Sequence, residues 1–317
     1  SEEKITPRVR HTASWLWGIY LGLTILQTVI LKLSGLDFYN SICTSLSTVG
    51  AGGFSPNPDS IMGYHNNFIT VNVMIFAFLA GTNFILMYKF FVQRKFKAPF
   101  KSEEFLTYLI ITLLIGFLIA LSLHKNMGFT FSNAIITGLF QTISIMMSAG
   151  FASSDFAQWD FSSKLLLLLP MFIGASAISA CGGLKITRWI FVFKYIKREL
   201  NKIVHPKGVY PIRLEGGVVS SETAQQIMAF VIFYFAIFAI SAFLVGFIEQ
   251  NTSVAIIGSI SSLGNVGPGF GAIGPLNHFD HLQNATKFIF MFNMLVGRLE
   301  LIPFLALLHK DLWEIKR

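Results

Sequence analysis

Apolar residues in this chain come in long unbroken runs. Runs that approach or exceed the roughly 20 residues needed to cross a bilayer lie near 12–33, 66–91, 105–123, 163–196, 224–247 and 284–308. Between the first and second, third and fourth, and fifth and sixth runs sit shorter, semi-polar segments at 37–47, 132–147 and 253–263. Each is too short to cross and ends in a Gly/Ser-rich stretch. The order of span, short helix, glycine-rich loop and span therefore occurs three times. It predicts an all-α polytopic membrane protein with a re-entrant segment in every unit.

Composition supports this pattern. Charged residues make up 13% of the 317 positions, hydrophobic ones make up 53%, and the mean hydropathy is +0.62. A soluble domain carries about 25% charged residues, so a water-facing globule is excluded. Cys43 and Cys181 stand far apart and offer neither a disulfide framework nor a metal-binding spacing. No short signal peptide with a cleavage site is visible at the start. Trp15, Trp17, Trp159 and Trp313 fall near span ends, as interface anchors do. The 33 phenylalanines read as lipid-facing or core.

The distribution of charge orients the chain. The segments joining one unit to the next, with both termini, hold 18 of the 24 Lys and Arg residues. Basic residues mark the cytoplasmic face. Both termini are thus expected in the cytoplasm, with the short helices dipping in from outside. Asp37, Asp59, Asp155, Asp160, Glu249 and Asp280 fall on the outer side. Acidic residues there would concentrate cations at a mouth, or they are ordinary solvated loop residues. The one substantial connector, roughly 197–221, carries His205, Pro206, Pro211 and Gly216–Gly217 between β-prone pieces and predicts a small hairpin. Ser221 before Glu222 reads as an N-cap for the fifth span.

Irregular backbone at membrane depth must be buried in protein or line a water-filled cavity. The loops read Ser47-Thr48-Val49-Gly50-Ala51-Gly52-Gly53-Phe54, Met146-Met147-Ser148-Ala149-Gly150-Phe151 and Leu263-Gly264-Asn265-Val266-Gly267-Pro268-Gly269. Aligning Gly53, Gly150 and Gly267 places Gly52, Ala149 and Val266 before them. It places Phe54, Phe151 and Pro268 after them. A cation that sheds water needs replacement oxygens, which rings of backbone carbonyls can supply. Glycine permits the unusual φ/ψ this requires. No carboxylate lies in the loops, which favours a monovalent cation over Ca²⁺ or Mg²⁺. Close helix packing through small residues is the competing reading of these glycines.

At this point the residues resemble a family. The chain looks like the membrane subunit of bacterial Trk-type potassium transporters (TrkH-like, in the wider Trk/Ktr/HKT superfamily). The resemblance covers essentially the whole chain. It rests on Thr6-Pro7-Arg8, the Ser47–Ser55 loop, Ala149-Gly150-Phe151, Gly182-Gly183-Leu184-Lys185, His205-Pro206, Asn265-Val266-Gly267-Pro268-Gly269 and Gly297-Arg298-Leu299-Glu300. It implies repeated helix–pore helix–filter loop–helix units around a central pore, usually in a dimer in the bacterial inner membrane. It also implies gating by a cytoplasmic nucleotide-binding subunit of the RCK type. Carried onto this chain, the K⁺-binding filter positions are Val49, Gly50, Ala51, Gly52 and Gly53, then Met146, Met147, Ser148, Ala149 and Gly150, then Leu263, Gly264, Asn265, Val266 and Gly267. Binding would be through their backbone carbonyls, without a side-chain metal site. Glycine at each key position leans to K⁺ over Na⁺, again by resemblance.

The family pattern has four repeats, and three are visible here. The chain opens into what looks like the second. A fragment is the expected explanation, with a first repeat supplied by another polypeptide as the alternative. The expected organisation is a cytoplasmic segment 1–11, pore repeats 12–100, 101–202 and 222–317, and a connector 203–221.

Arg298 lies about 21 Å into the sixth span at 1.5 Å per residue. A cation buried there is costly unless paired or hydrated. It is expected to face the pore and gate it, with snorkelling or pairing with Glu300 as the plainer readings. In the fourth span the run Gly174–Gly183 is small-residue-rich and suits a break. A gate loop is expected over Ser176, Ala177, Ile178, Ser179, Ala180, Cys181, Gly182, Gly183, Leu184 and Lys185. A close-packed helix face is the alternative. Lys185 would hold that loop or reach lipid headgroups.

The function expected is gated K⁺ uptake down the electrochemical gradient. The alternative is a secondary cation transporter, Na⁺- or H⁺-coupled, with broken helices around a midplane site. That reading wants a coupling carboxylate, and within the predicted spans only Glu300 offers one. No metal cluster, nucleophile motif or phosphate loop points to an enzyme. No cofactor is expected on this chain, and its partners are the lipid bilayer, a second copy and the nucleotide-binding subunit, without nucleic acid.

Overall fold

The computed structural model describes residues 6–299, with side chains described from residue 14 onward. Helices α1 (Thr6–Leu33), α2 (Phe38–Val49), α3 (Asn67–Ala80) and α4 (Phe84–Phe91) form the first unit. After the one-turn α5 (Ala98–Lys101), a second unit follows: α6 (Glu103–Met127), α7 (Phe131–Met146), α8 (Phe161–Ile173) and α9 (Ile186–Val204). Strands β1 (Arg213–Leu214) and β2 (Gly217–Val218) pair antiparallel as the expected hairpin. The third unit is α10 (Ser221–Glu249), a π-helical turn (Val254–Gly258) running into α11 (Ser259–Leu263), and α12 (Asn284–Arg298). The part of the sixth predicted span beyond Leu299, with Glu300, and Trp313 lie outside the described residues.

The all-α re-entrant architecture holds. Among the described residues, Ser14–Leu33 of α1 and the whole of α6 and α10 are long and apolar enough to cross a membrane, and α3 with α4 passes as a bent pair. These helices turn apolar side chains outward, as Ile232, Phe233, Ile240, Phe243 and Phe247 do on α10. An apolar face of this extent suits lipid rather than water. Trp17 is exposed, whereas Trp159 is buried and donates Nε1–H to Ser154 Oγ at 3.1 Å. Trp159 is thus a core residue and not the interface anchor expected of it.

Two predicted spans are interrupted. The 66–91 run is bent by 101° between α3 and α4. The cause lies in Gly81-Thr82-Asn83. A Cβ at Gly81 would sit 2.5 Å from the Tyr108 hydroxyl. Asn83 Oδ1 then accepts the Ile85 N–H at 2.9 Å and starts a new helix as its N-cap. In the fourth span α8 stops at Ile173, because Gly174 adopts φ 71°, ψ −177°, a region open essentially to glycine. The cap of α10 is Ser220, one residue earlier than expected, with Oγ accepting the Thr223 N–H.

Lipid offers no hydrophobic drive for helix association, so small residues must bring backbones close. Gly138 on α7 meets α6 this way: an added Cβ would lie 2.6 Å from the Gly116 carbonyl oxygen. Two large apolar cores and two smaller clusters result among the described residues. One large core joins α1, α2 and α3 to Tyr108, Met146, Met147 and Phe151. The other joins α6, α8, α10 and α12 around Ile145, Val266 and Phe270. Both close around the glycine loops and so hold them in place.

Candidate functional site

The three short helices end alike. Val49, Met146 and Leu263 are their last residues, and the caps Gly50, Met147 and Gly264 have φ −80°, −86° and −77° with ψ near zero. The next residues, Ala51, Ser148 and Asn265, take φ 53°, 58° and 55°. Two positions later Gly53, Gly150 and Gly267 take φ 69°, 77° and 100°. Left-handed backbone costs a non-glycine residue about 1–2 kcal/mol, yet it recurs at one register in all three loops.

Hydrogen bonding explains the geometry. Gly50, Met147 and Gly264 donate their N–H groups to Leu46, Ile143 and Ile260 at 2.8–2.9 Å. Ala51, Ser148 and Asn265 donate to Thr48, Ile145 and Ser262. Gly52, Ala149 and Val266 donate to Ser47, Ser144 and Ser261, each at 2.8 Å. Three successive N–H groups of every loop therefore turn back onto the helix. In a trans peptide the carbonyl points opposite its N–H, so the carbonyls of Val49–Ala51, Met146–Ser148 and Leu263–Asn265 turn away from it. The negative end of each short helix lies at its own loop and favours a cation there.

The loops also touch one another in rotation. A Cβ built on Gly53 would lie 1.9 Å from the Ala149 carbonyl oxygen, and one on Gly150 would lie 2.3 Å from that of Val266. In both cases the glycine abuts the carbonyl of the residue before the equivalent glycine of the following loop. Ser148 Oγ adds a hydrogen bond to the Gly264 carbonyl at 2.9 Å. A Cβ built on Gly267, the next in rotation, would meet nothing within 4 Å among the described residues. Beside the first loop a cavity of about 480 Å³ is lined by Tyr39, Cys43, Leu46, Gly50, Gly52 and Phe54. Contacts therefore link the first loop to the second and the second to the third, while a side chain at Gly267 would enter open space among the described residues.

The break in the fourth span lies against this set. An added Cβ at Gly182 would be 2.7 Å from the Gly264 carbonyl oxygen and 3.2 Å from Asn265 Cβ. Gly297 on α12 is as close, 2.0 Å by the same measure from the Leu263 carbonyl oxygen. One residue on, Arg298 donates Nη1–H to the Ala180 carbonyl at 2.9 Å. On its other flank the break pairs with the bend in the second span: Ser176 donates its N–H to the Gly81 carbonyl, and Phe84 donates to Ile178. Ile178 and Lys185 adopt φ 53° and 67°. The backbone from Ser176 to Lys185 is irregular, as expected, and the irregularity begins at Gly174.

Comparison with known proteins agrees with this geometry. The family model for the cation transport protein TrkH matches residues 1–314. The chain belongs to the TrkH cation transport family. It is 33% identical to the Trk system potassium uptake protein TrkH of Vibrio parahaemolyticus over 99% of its own length and 65% of that protein's. It is 31% identical to the Escherichia coli TrkH, with the same coverage. The crystal structure of the potassium transporter TrkH from Vibrio parahaemolyticus superposes with a TM-score of 0.90 at 32% identity, covering 98% of this chain and 66% of that one. The chain thus spans about two thirds of the length of the relatives it matches.

Within this TrkH-family chain, most of the acidic residues expected on the outer side have structural roles. Asp37, Asp155 and Asp160 cap helices. Glu249 Oε1 accepts from the Gln283 N–H and Thr286 Oγ, fixing the start of α12. Sequence reasoning missed Glu104. It is 4% exposed. Its Oε1 accepts the Ala177 N–H and the Thr187 hydroxyl, and its Oε2 accepts from Asn83 Nδ2 at 3.0 Å. Three donors satisfy this buried carboxylate, and they come from the break, from α9 and from the bend. The available signal was Ser102-Glu103-Glu104, a cap followed by acids in the first turn. Nothing in that pattern says which acid turns inward.

Proposed function

We propose that this chain forms a K⁺ path lined by the backbone carbonyls of Val49–Gly53, Met146–Gly150 and Leu263–Gly267, closed from below by Ser176–Lys185. One observation carries the reading: the same alternation of backbone hand recurs in three loops, with Gly53 and Gly150 each resting on the next loop's carbonyl. A dehydrating monovalent cation needs such oxygens, and the three helix ends add favourable potential. The relatives' names as potassium uptake proteins support K⁺ as the ion. In this reading the pore repeats 12–100, 101–202 and 222–317 supply three sides of a fourfold ring, and one further filter segment completes it.

In this reading Arg298 latches the break shut through Ala180. An inside-negative potential drives entry with about 2.3 kcal/mol per charge per 100 mV. The chain sits in a bacterial inner membrane with both ends cytoplasmic, as a homodimer, under an RCK-type nucleotide-binding subunit that meets the connector side. The alternating-access reading would need a carboxylate that takes and releases a coupling ion. Glu104, the buried carboxylate the structure adds, is occupied by three protein donors instead.

The test is Rb⁺ uptake into liposomes holding the full-length protein. Uptake suppressed by K⁺ and left intact by Na⁺ is expected. Uptake suppressed equally by both, or uptake that requires a Na⁺ or H⁺ gradient, would overturn the proposal.

A further inference from the structure

Resting on the gated path proposed above, we infer that Glu215, at the tip of the β1–β2 hairpin, is a positioning residue for the break in the fourth span. It acts through the first turn of α6.

Glu215 and Gly216 are the two central residues of the hairpin turn, since Leu214 pairs with Gly217. Both have positive φ, 47° and 82°. A two-residue turn of this kind prefers Asn, Asp or Gly at its first central position. A glutamate there carries a local backbone cost, and its side chain is engaged. Glu215 Oε1 accepts the Ser102 hydroxyl at 3.0 Å and the Glu104 N–H at 2.9 Å. A helix leaves its first N–H groups without intrahelical partners, and a carboxylate at that end also meets the positive pole of the helix. Glu215 thus caps α6 from a distant part of the chain.

The residue whose N–H it holds is the one that reaches the break. Glu104 accepts the Ala177 N–H and the Thr187 hydroxyl and takes Asn83 Nδ2 on its other oxygen. The neighbouring Glu103 pairs with Lys194 of α9, and Lys194 also donates to the Arg213 carbonyl at 2.8 Å. The first turn of α6 is therefore clamped by the hairpin on one side and clamps the break on the other. Glu215 is exposed while Glu104 is buried. An event at the aqueous hairpin tip has a connected route to Ala177, next to the Ala180 carbonyl that holds Arg298. A partner that draws Glu215 away from Ser102 loosens the break without touching it.

The test uses the full-length protein in lipid nanodiscs, with amide hydrogen exchange followed over 174–185 and over 205–220, and Rb⁺ flux measured in parallel. Glu215→Asn suits the turn but is one methylene shorter. Glu215→Gln keeps both the length and an accepting oxygen. The asparagine variant is expected to speed exchange at Ala177–Ala180 about tenfold, the effect of losing one charged hydrogen bond, with exchange across the hairpin unchanged. The glutamine variant should stay near wild type. If exchange in the asparagine variant rises only in the hairpin or the first turn of α6, with 176–180 at the wild-type rate, the relay is wrong. Flux separates the two claims. Faster exchange at Ala177–Ala180 in a protein that carries no Rb⁺ supports the relay and removes the gated path.

Discussion

Arg298 hands a guanidinium N–H to the Ala180 carbonyl at 2.9 Å, joining the last described turn of α12 to the irregular stretch in the fourth span. This contact ties the cation in the sixth span to the loop whose Gly182 packs against the Gly264 carbonyl. A hydrogen bond to a charged group is worth about 1.5–3 kcal/mol. Its removal shifts a closed–open balance about 10–100-fold. Arg298→Ala is expected to raise Rb⁺ flux in the closed condition by that order, and Arg298→Lys by less. Liposome uptake checks this, and equal flux in all three proteins would remove Arg298 from the gate.

Gly53 and Gly150 combine a close backbone contact with a left-handed φ, whereas the helix glycines Gly138 and Gly297 have the contact alone. A methyl group at either would meet a neighbouring loop's carbonyl oxygen, 1.9 Å away for Gly53 and 2.3 Å for Gly150. Both also have positive φ. Gly53→Ala and Gly150→Ala should each lower Rb⁺ uptake by at least about tenfold, given a backbone cost near 1–2 kcal/mol before any clash. Gly18, with open space around it, is the control, and Gly18→Ala should leave uptake unchanged.

The α6–α7 crossing tests packing separately from conduction. Gly138→Val would drive side-chain atoms into the Gly116 carbonyl and the Ala120 backbone. Overpacking of this kind costs about 1–3 kcal/mol. Thermal unfolding in detergent should show a lower Tm than wild type, and an unchanged Tm would mean that the two helices are less tightly joined than these distances imply.

Asp160 gives a pH dependence with a defined sign. Partial burial pushes its carboxyl up, but hydrogen bonds from Ser163, Asn126 and Ser122 outweigh this and hold it below the ordinary aspartate value of 3.8. A carboxyl lowered in the folded state stabilises above its unfolded value, and the benefit is lost as pH falls through the folded value. Asp160→Asn should therefore lower the Tm at neutral pH, and the gap to wild type should narrow below the ordinary value. A gap that is constant with pH would contradict the assignment.

Much of the fold was legible because the bilayer enforces a simple code. Long apolar runs had to be spans, and glycine loops after short helices had to be protected re-entrant segments. Gly53, Gly150 and Gly267 could be aligned from sequence alone, and the backbone places them in one register. The 101° bend at Gly81–Asn83 was not legible, because hydropathy does not register a cap such as Asn83 inside an apolar run. Glu104 was missed for a related reason. Burial of one acid in a first turn depends on partners far away in sequence, Asn83, Ala177 and Thr187. Trp159 followed the rule for span ends and was nevertheless drawn into the core by Ser154 and Phe156.

The central claim is that backbone carbonyls of the glycine loops hold the ion. The most direct measurement is anomalous scattering from crystals of the full-length protein grown with Rb⁺ or Tl⁺. Anomalous peaks are expected among Val49–Gly53, Met146–Gly150 and Leu263–Gly267, weakening when K⁺ competes and persisting when Na⁺ does. Peaks found only at carboxylates such as Glu104 or Glu249, with none between the loops, would contradict it.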